Sequence, residues 1–216
     1  MSKRRLFVAG ATGAVGQVLL ELGKKAEVDL LAQVRPKSAG RLGDRPVAAI
    51  ELSDPKLADV MRGCTTVVQL IGTMRKRFAA GDTYETSDIG TTRQLVEAAR
   101  ACGTVDHLVL LSSVGAGSPR GAYLNAKAEA ERLVKSSGIP WTIFRPSAFE
   151  DREGAFVPGM GAITKLLGLK KYQPIKLAQL AGAILLAATQ RAPLDVALEG
   201  GPLWDLFPNP ARDPVP

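Results

Sequence analysis

The sequence predicts an α/β protein, a doubly wound parallel sheet with a very small C-terminal lobe. Three observations carry this. The turn Gly10-Ala11-Thr12-Gly13-Ala14-Val15-Gly16 stands between the apolar run Leu6-Phe7-Val8-Ala9 and the helix-forming stretch Gln17-Val18-Leu19-Leu20. Short apolar runs then alternate with helical patterns, as in a parallel sheet covered on both faces. The length, 216 residues, suits one domain or one domain with a small appendage.

In chain order, a strand at 5–9 runs through the glycine turn into a helix at 15–24. Strands follow at 29–34 and 46–52. Asp54-Pro55 supplies an N-cap and a proline at the first helical position, which starts a helix at 55–61. A strand at 66–71 leads to a long helix at 84–102, stopped by Cys102-Gly103. A strand at 107–112, a helix at 123–136 ending on Ser136-Ser137-Gly138, and a strand at 141–144 complete the pattern. Six strands joined by crossover helices give the order 3-2-1-4-5-6. After Pro146 the pattern turns irregular. A loop through Gly159 leads to a short helix at 162–167, and an apolar helix follows at 175–189. A last strand is expected at 195–198, and Pro208-Asn209-Pro210 opens a tail that should fray. The expected division is a nucleotide-binding core at 1–146 and a small substrate lobe at 147–216, integrated with it.

Composition narrows the function classes. Hydrophobic residues make up 46% and charged residues 23%, ordinary for a soluble globular protein. The longest apolar run, Leu180 to Ala188, is too short to cross a bilayer. Met1-Ser2-Lys3-Arg4-Arg5 is basic, but the apolar stretch after it is a strand broken by Gly10, unlike a signal-peptide core. Two cysteines, Cys64 and Cys102, with one histidine argue against a disulfide framework and a zinc site, so a cytoplasmic location is expected. The net charge of +7 is spread along the chain and only 5% of residues are aromatic, which argues against nucleic acid as a partner. The expected partner is a small-molecule substrate, and the expected state a monomer or homodimer with no membrane span.

The glycine turn carries the first chemical signal. Backbone amides and the dipole at a helix N-terminus favour a diphosphate, and side chains at Gly10, Gly13 or Gly16 would keep it away. The spacing is Gly-x-x-Gly-x-x-Gly rather than Gly-x-Gly-x-x-Gly, so a tight turn without a ligand is the competing explanation. The second strand ends on Val34, followed by Arg35-Pro36-Lys37 and, close behind, Arg41. An acid that would bond a ribose 2′-hydroxyl is missing there. Cations suit a 2′-phosphate, which selects NADP (NADPH) over NAD. Glu51 and Leu52, ending the third strand, belong near adenine.

Tyr123 and Lys127 stand four residues apart, on one face of a helix. Upstream, Leu110-Leu111-Ser112-Ser113 ends the fifth strand, at the same sheet edge as the glycine turn. A carbonyl that accepts hydride needs a proton donor, and a phenol ordinarily ionises only near about pH 10. A neighbouring ammonium stabilises the phenolate left behind.

Serine with Tyr-x-x-x-Lys resembles the active site of the short-chain dehydrogenase/reductase superfamily. The glycine turn, Gln69-Leu70-Ile71-Gly72-Thr73, Leu111-Ser112-Ser113-Val114-Gly115-Ala116 and Phe144-Arg145-Pro146 resemble its atypical branch. Within that branch the chain is most similar to the Tat-interacting-protein oxidoreductase family and its bacterial relatives, from about Phe7 to Leu206. The resemblance implies an NAD(P)-binding Rossmann fold with Ser113, Tyr123 and Lys127 as the catalytic set. Ser113 is taken over Ser112 by analogy with the last serine of the strand in extended members, which leaves Ser112 with the cofactor. The pyrophosphate turn falls on Thr12, Gly13, Ala14 and Val15. Gly72 and Thr73 pass the ribose, and Pro146 and Ser147 lie near the nicotinamide.

Other residues read as structural. Arg75-Lys76-Arg77 is a solvated turn, Asp88 and Arg93 are surface or packing groups, and His107 has a structural role. Cys102 shows no sign of a designed redox role. Phe149, Phe156, Met160 and Leu166 form an apolar pocket lining or a small core. The expected function is an NADP-dependent oxidoreductase acting on a small carbonyl or quinone-like substrate. The alternative is an NADP(H)-sensing regulator or assembly factor with little turnover. A nucleotide-sugar epimerase would call for a larger substrate lobe.

Overall fold

Seven parallel strands make one sheet: β1 (Arg5–Ala9), β2 (Asp29–Val34), β3 (Val47–Ala49), β4 (Thr66–Gln69), β5 (His107–Leu111), β6 (Trp141–Arg145) and β7 (Val196–Glu199). Their order is β3-β2-β1-β4-β5-β6-β7, the expected order with the last segment added beside β6. This is a computed structural model, and it describes residues 4–72, 81, 83–150 and 170–207. The helices among these are α1 (Ala14–Lys25), α2 (Leu57–Met61), α3 (Thr91–Cys102), α4 (Gly121–Lys135), α5 (Leu177–Gln190) and α6 (Gly201–Trp204).

The continuous apolar run of β1 has a simple cause. Leu6 and Val8 join the core beneath α1 and α5, while Phe7 and Ala9 join the core beneath α2, α3 and α4. All four are fully buried, so neither face of the strand tolerates a polar residue. α5 packs along α1 and β7 extends the sheet, so the described residues beyond 170 complete the core.

Several boundaries differ from expectation, for local reasons. β3 is three residues long, because the chain after Ile50 turns, with the Asp54 amide on the Glu51 carbonyl. α2 begins at Leu57 rather than 55, since the Asp54 carboxylate accepts the Lys56 amide at 2.8 Å and caps a turn first. β4 ends at Gln69, whose side-chain oxygen takes the Ile71 amide at 2.9 Å in place of a neighbouring strand. The helix expected at 84–102 is two pieces, a π-helical segment (Glu85–Gly90) running into α3. Ile175 is not helical but bridges to Phe149. The glycine stops are in place: Gly103 and Gly138 both have positive φ.

No helix among the described residues is long and apolar enough to cross a membrane. The helix expected at 162–167, the loop through Gly159 and the tail from Pro208 lie outside the described residues.

Candidate active site

The sheet order reverses direction between β1 and β4, and connections that leave there in opposite directions open a crevice above the carboxyl end of β1. The glycine turn occupies that position, and its glycines have different physical reasons. Gly10 has φ of +87°, and a Cβ there would come 2.8 Å from the Leu70 carbonyl carbon. A Cβ on Gly16 would overlap the Gly10 carbonyl oxygen and lie 2.8 Å from Ala11 Cα. Both glycines are therefore demanded by the chain's own packing of turn on helix and strand. Gly13 is exposed and is the N-cap of α1, where it offers no capping side chain. The first turn of α1 has no acidic residue, so its amides keep their positive end for an anion.

A cleft of about 550 Å³ runs from this turn along the carboxyl edge of the sheet. Gly10, Thr12, Gly13, Ala14, Val15 and Gly16 line one wall. Arg35, Glu51 and Leu52 line the end beside β2 and β3, and Gly72 stands after β4. Ser112, Ser113, Tyr123, Lys127, Pro146 and Ser147 line the other end, with Phe149. Lys37 is not among the lining residues; it is exposed on the 3₁₀ turn Pro36–Leu42, and Ser38 and Arg41 of that turn face the cleft. Thr73, Arg75-Lys76-Arg77, Phe156, Met160 and Leu166 lie outside the described residues.

Sequence reasoning missed Thr86, Ser87, Thr91 and Gln94, which line the cleft from the start of the long helix. The signal was available, since a hydroxyl-rich helix start after the fourth strand must lie at the same sheet edge.

Asp88 requires a correction. It is neither a surface nor an ordinary packing group: its side chain is fully buried, with Oδ1 2.8 Å from Lys127 Nζ. Asp88 stands on one helix stripe with the buried Thr92, Leu95, Val96 and Ala99, and that spacing was visible in the sequence. The turn carrying it is pinned from below. Gln69 Nε2 donates to the Thr91 and Thr92 hydroxyls at 3.1 and 3.3 Å, and the Thr92 hydroxyl donates to the Asp88 carbonyl at 2.6 Å. Lys127 also donates to the Leu111 carbonyl at 3.3 Å, and its Nζ lies 6.0 Å from the centre of the Tyr123 ring. The rings of Tyr123 and Tyr84 are 5.9 Å apart.

Behind this pair runs a second charged network. The Ser112 hydroxyl donates to Glu131 at 2.7 Å, and Arg145 grips the same carboxylate with Nε at 2.8 Å and Nη2 at 2.5 Å. Lys135 adds a contact at 3.0 Å, and Arg145 Nη1 reaches Glu199 at 3.1 Å. Burial pushes the Glu131 carboxyl up, but hydrogen bonds from Arg145, Ser112 and Lys135 outweigh it and hold it below the usual carboxylate range. The Ser112 hydroxyl is thus committed to Glu131, while Ser113, next along the strand end, is half-buried in the cleft wall.

The remaining candidates stand apart from the cleft. His107 is fully buried with Nε2 2.8 Å from Thr142 Oγ1, and burial pushes its pKa down to about 4. Arg93 is exposed, 3.9 Å from Glu85. Cys64 and Cys102 are free thiols.

Open helix amides at a glycine turn, two arginines beyond β2 and an adjacent phenol–ammonium pair fit a phosphate-bearing dinucleotide. Comparisons agree. The family model described as NAD(P)H-binding matches residues 10–190. An uncharacterised chloroplastic protein of Arabidopsis thaliana is 31% identical over 170 residues, 68% of this chain and 60% of that protein. The (4-alkanoyl-5-oxo-2,5-dihydrofuran-3-yl)methyl phosphate reductase of Streptomyces griseus is 30% identical over 180 residues, 76% of this chain and 55% of that protein. The chain thus spans less than two thirds of the length of either relative. Among solved structures, a short-chain dehydrogenase/reductase superfamily protein of Agrobacterium tumefaciens with bound NAD superposes with a TM-score of 0.70 at 20% identity. That match covers 91% of this chain and 77% of the other, and it bears on the fold.

Proposed function

We propose that this chain, which belongs to the NAD(P)H-binding family, is an NADP-dependent oxidoreductase acting on a small carbonyl or quinone-like substrate. One observation carries the reading: Tyr123 and Lys127 line the same cleft as the Gly10–Gly16 turn. The α1 amides of that turn would take the diphosphate. Arg35 and Arg41 would take a 2′-phosphate, and β2 ends on Val34 with no acid to compete. Glu51 and Leu52 are assigned to adenine, Gly72 with Thr73 to the ribose, and Ser112, Pro146 and Ser147 to the nicotinamide end. Bound in this cleft, the dinucleotide supplies the hydride.

The chain's own residues handle the oxygen and the proton. Ser113 donates a hydrogen bond to the carbonyl oxygen and orients it. As hydride reaches the carbonyl carbon, the π pair collects on oxygen and takes the proton of the Tyr123 hydroxyl. The Lys127 ammonium stabilises the phenolate, which regains a proton from solvent. The Streptomyces relative is itself named a reductase, which supports the class of reaction. Free thiols at Cys64 and Cys102 suit a reducing compartment such as the cytoplasm.

A second reading, an NADP(H)-sensing protein with little turnover, draws on residues 170–207. Their helix and strand complete the core, which leaves few of them to shape a substrate pocket. Purified protein mixed with NADPH and a panel of carbonyls and quinones separates the two. Loss of reduced-nicotinamide absorbance with at least one acceptor is expected. NADPH binding without consumption, together with NADPH-dependent capture of a partner, supports the sensor instead.

A further inference from the structure

We propose that Glu131 is a positioning residue that fixes the strand end bearing Ser113 against the helix bearing Tyr123, a reading that rests on the reductase assignment above. Tyr123, Lys127 and Glu131 follow one another at intervals of four along α4, so they share one face of the helix. The first two line the cleft, and Glu131 lies one turn further on with 2% of its side chain exposed. Its carboxylate takes donors from two strand ends as well as from its own helix. Ser112, just past β5, donates at 2.7 Å, Arg145 at the end of β6 donates at 2.8 and 2.5 Å, and Lys135 donates at 3.0 Å. This anchor joins α4 to the ends of both strands.

Ser113 is held on both sides. Before it, the Ser112 amide donates to the Phe144 carbonyl at 2.7 Å while the Ser112 hydroxyl is taken by Glu131. After it, the Val114 amide donates to the Pro146 carbonyl at 2.9 Å, and the Ala116 amide returns to the Ser113 carbonyl at 3.1 Å. The turn then lies directly on Arg145, since a Cβ on Gly117 would come 2.6 Å from Nη1. The same Nη1 reaches Glu199 at the end of β7, where Lys171 joins at 2.7 Å. Apolar side chains of similar volume would serve stability as well as this buried pair. What the pair adds is direction: the guanidinium fork fixes the plane of the carboxylate, and the carboxylate fixes the Ser112 hydroxyl. The separation between the Ser113 hydroxyl and the Tyr123 phenol, both needed at one carbonyl oxygen, is set by that anchor. A misplacement of about 1 Å at a reacting group can cost about a hundredfold in rate.

A double-mutant cycle on NADPH-linked turnover, with Glu131→Gln and Ser113→Ala, tests this. Glu131→Gln should lower kcat about tenfold with NADPH affinity unchanged, and should cost almost nothing further once Ser113→Ala is present. No loss of turnover, or full multiplication of the two losses, overturns the proposal. A purely structural carboxylate would cost the same factor with or without the Ser113 hydroxyl. Should Glu131→Gln fail to fold, Ser112→Ala takes its place in the cycle, since it cuts the link while Arg145 and Lys135 still pair the carboxylate. Amide hydrogen exchange gives a reading independent of turnover. In either variant the Val114 and Ala116 amides should exchange about tenfold faster than in the parent, with the β1 amides unmoved. Unchanged exchange at Val114 overturns the proposal as well. A parent protein that consumes no NADPH with any acceptor sinks the reductase assignment, and exchange at Val114 then decides by itself whether Glu131 holds the strand end.

Discussion

The amino-terminal edge of the sheet closes on itself, whereas the carboxyl edge stays open around a cleft. At the closed edge, Arg4 donates to Thr66 Oγ1 at 2.9 Å and to the Thr65 carbonyl at 3.2 Å, and pairs with Asp106. Arg191 reaches the Asp106 carbonyl at 3.2 Å, and Thr142 links His107 to the Pro193 carbonyl. Every one of these contacts is made within the protein. At the open edge the same strands end in the glycine turn, Gly72, Ser113 and Pro146, all aimed at one space. Helix direction explains the contrast. Each crossover helix brings its amides to the carboxyl edge and its carbonyls to the amino edge. The negative carbonyl ends suit cations, and α1 and α4 carry Lys24, Lys25, Arg132 and Lys135 in their last turns. Amide ends favour anions, and at α1 the sequence supplies none. Open to the cleft, they suit an anionic ligand.

If this division holds, substitutions at the open edge change function and those at the closed edge change stability. The largest effect belongs to Tyr123→Phe. Turnover should fall by roughly 10²–10⁴-fold, with NADPH affinity and melting temperature close to the parent. Steady-state rates beside a fluorescence binding titration check this, and retained turnover removes Tyr123 from the mechanism.

A pH effect comes next, from the closed edge. Burial, reinforced by the Arg4 and Arg191 charges, pushes His107 down to about 4, whereas an unfolded histidine titrates near about 6.5. Between those values the unfolded chain holds more protons than the folded one. Stability contributed by neutral His107 is therefore complete above pH 6.5 and is lost as pH falls toward 4. The loss amounts to about 3 kcal/mol in full. As the chain has a single histidine, urea melts between pH 6.5 and 5 should isolate its slope, and His107→Gln should flatten it. A parent with no slope in that interval would contradict a buried neutral imidazole.

The smallest effect returns to the open edge. Arg35→Ala should weaken NADPH binding by about tenfold and leave NADH binding nearly unchanged, the loss of one charge-assisted contact to a phosphate. Equal losses for both nucleotides would take Arg35 away from the 2′-phosphate.

Much of the fold was legible because parallel strands buried on both faces leave unmistakable apolar runs. β1 and β2 fall on the expected residues, 5–9 and 29–34. Element ends were less legible wherever a side chain replaces a backbone partner. Gln69 closing β4 and Asp54 delaying α2 are both of this kind. Within the site, Tyr123 and Lys127 were found through helical spacing. Asp88 is harder to read, because a lone acid in a long helix looks solvated until its stripe with Thr92, Leu95, Val96 and Ala99 is traced. Charge alone points to Lys37, whereas the turn at Pro36–Leu42 presents Ser38 and Arg41 to the cleft.

By itself, the sequence determined the strand order, the glycine turn at the first crossover and the helical pairing of phenol with ammonium. Each follows from contacts between residues close in the chain or from a period repeated along it. Only the tertiary structure decided which charges meet. Asp88 finds Lys127 across thirty-nine positions, and Glu199 finds Arg145 across fifty-four. Such partners are chosen by where the sheet delivers two side chains and by the cost of leaving either buried alone, and neither is written in local sequence.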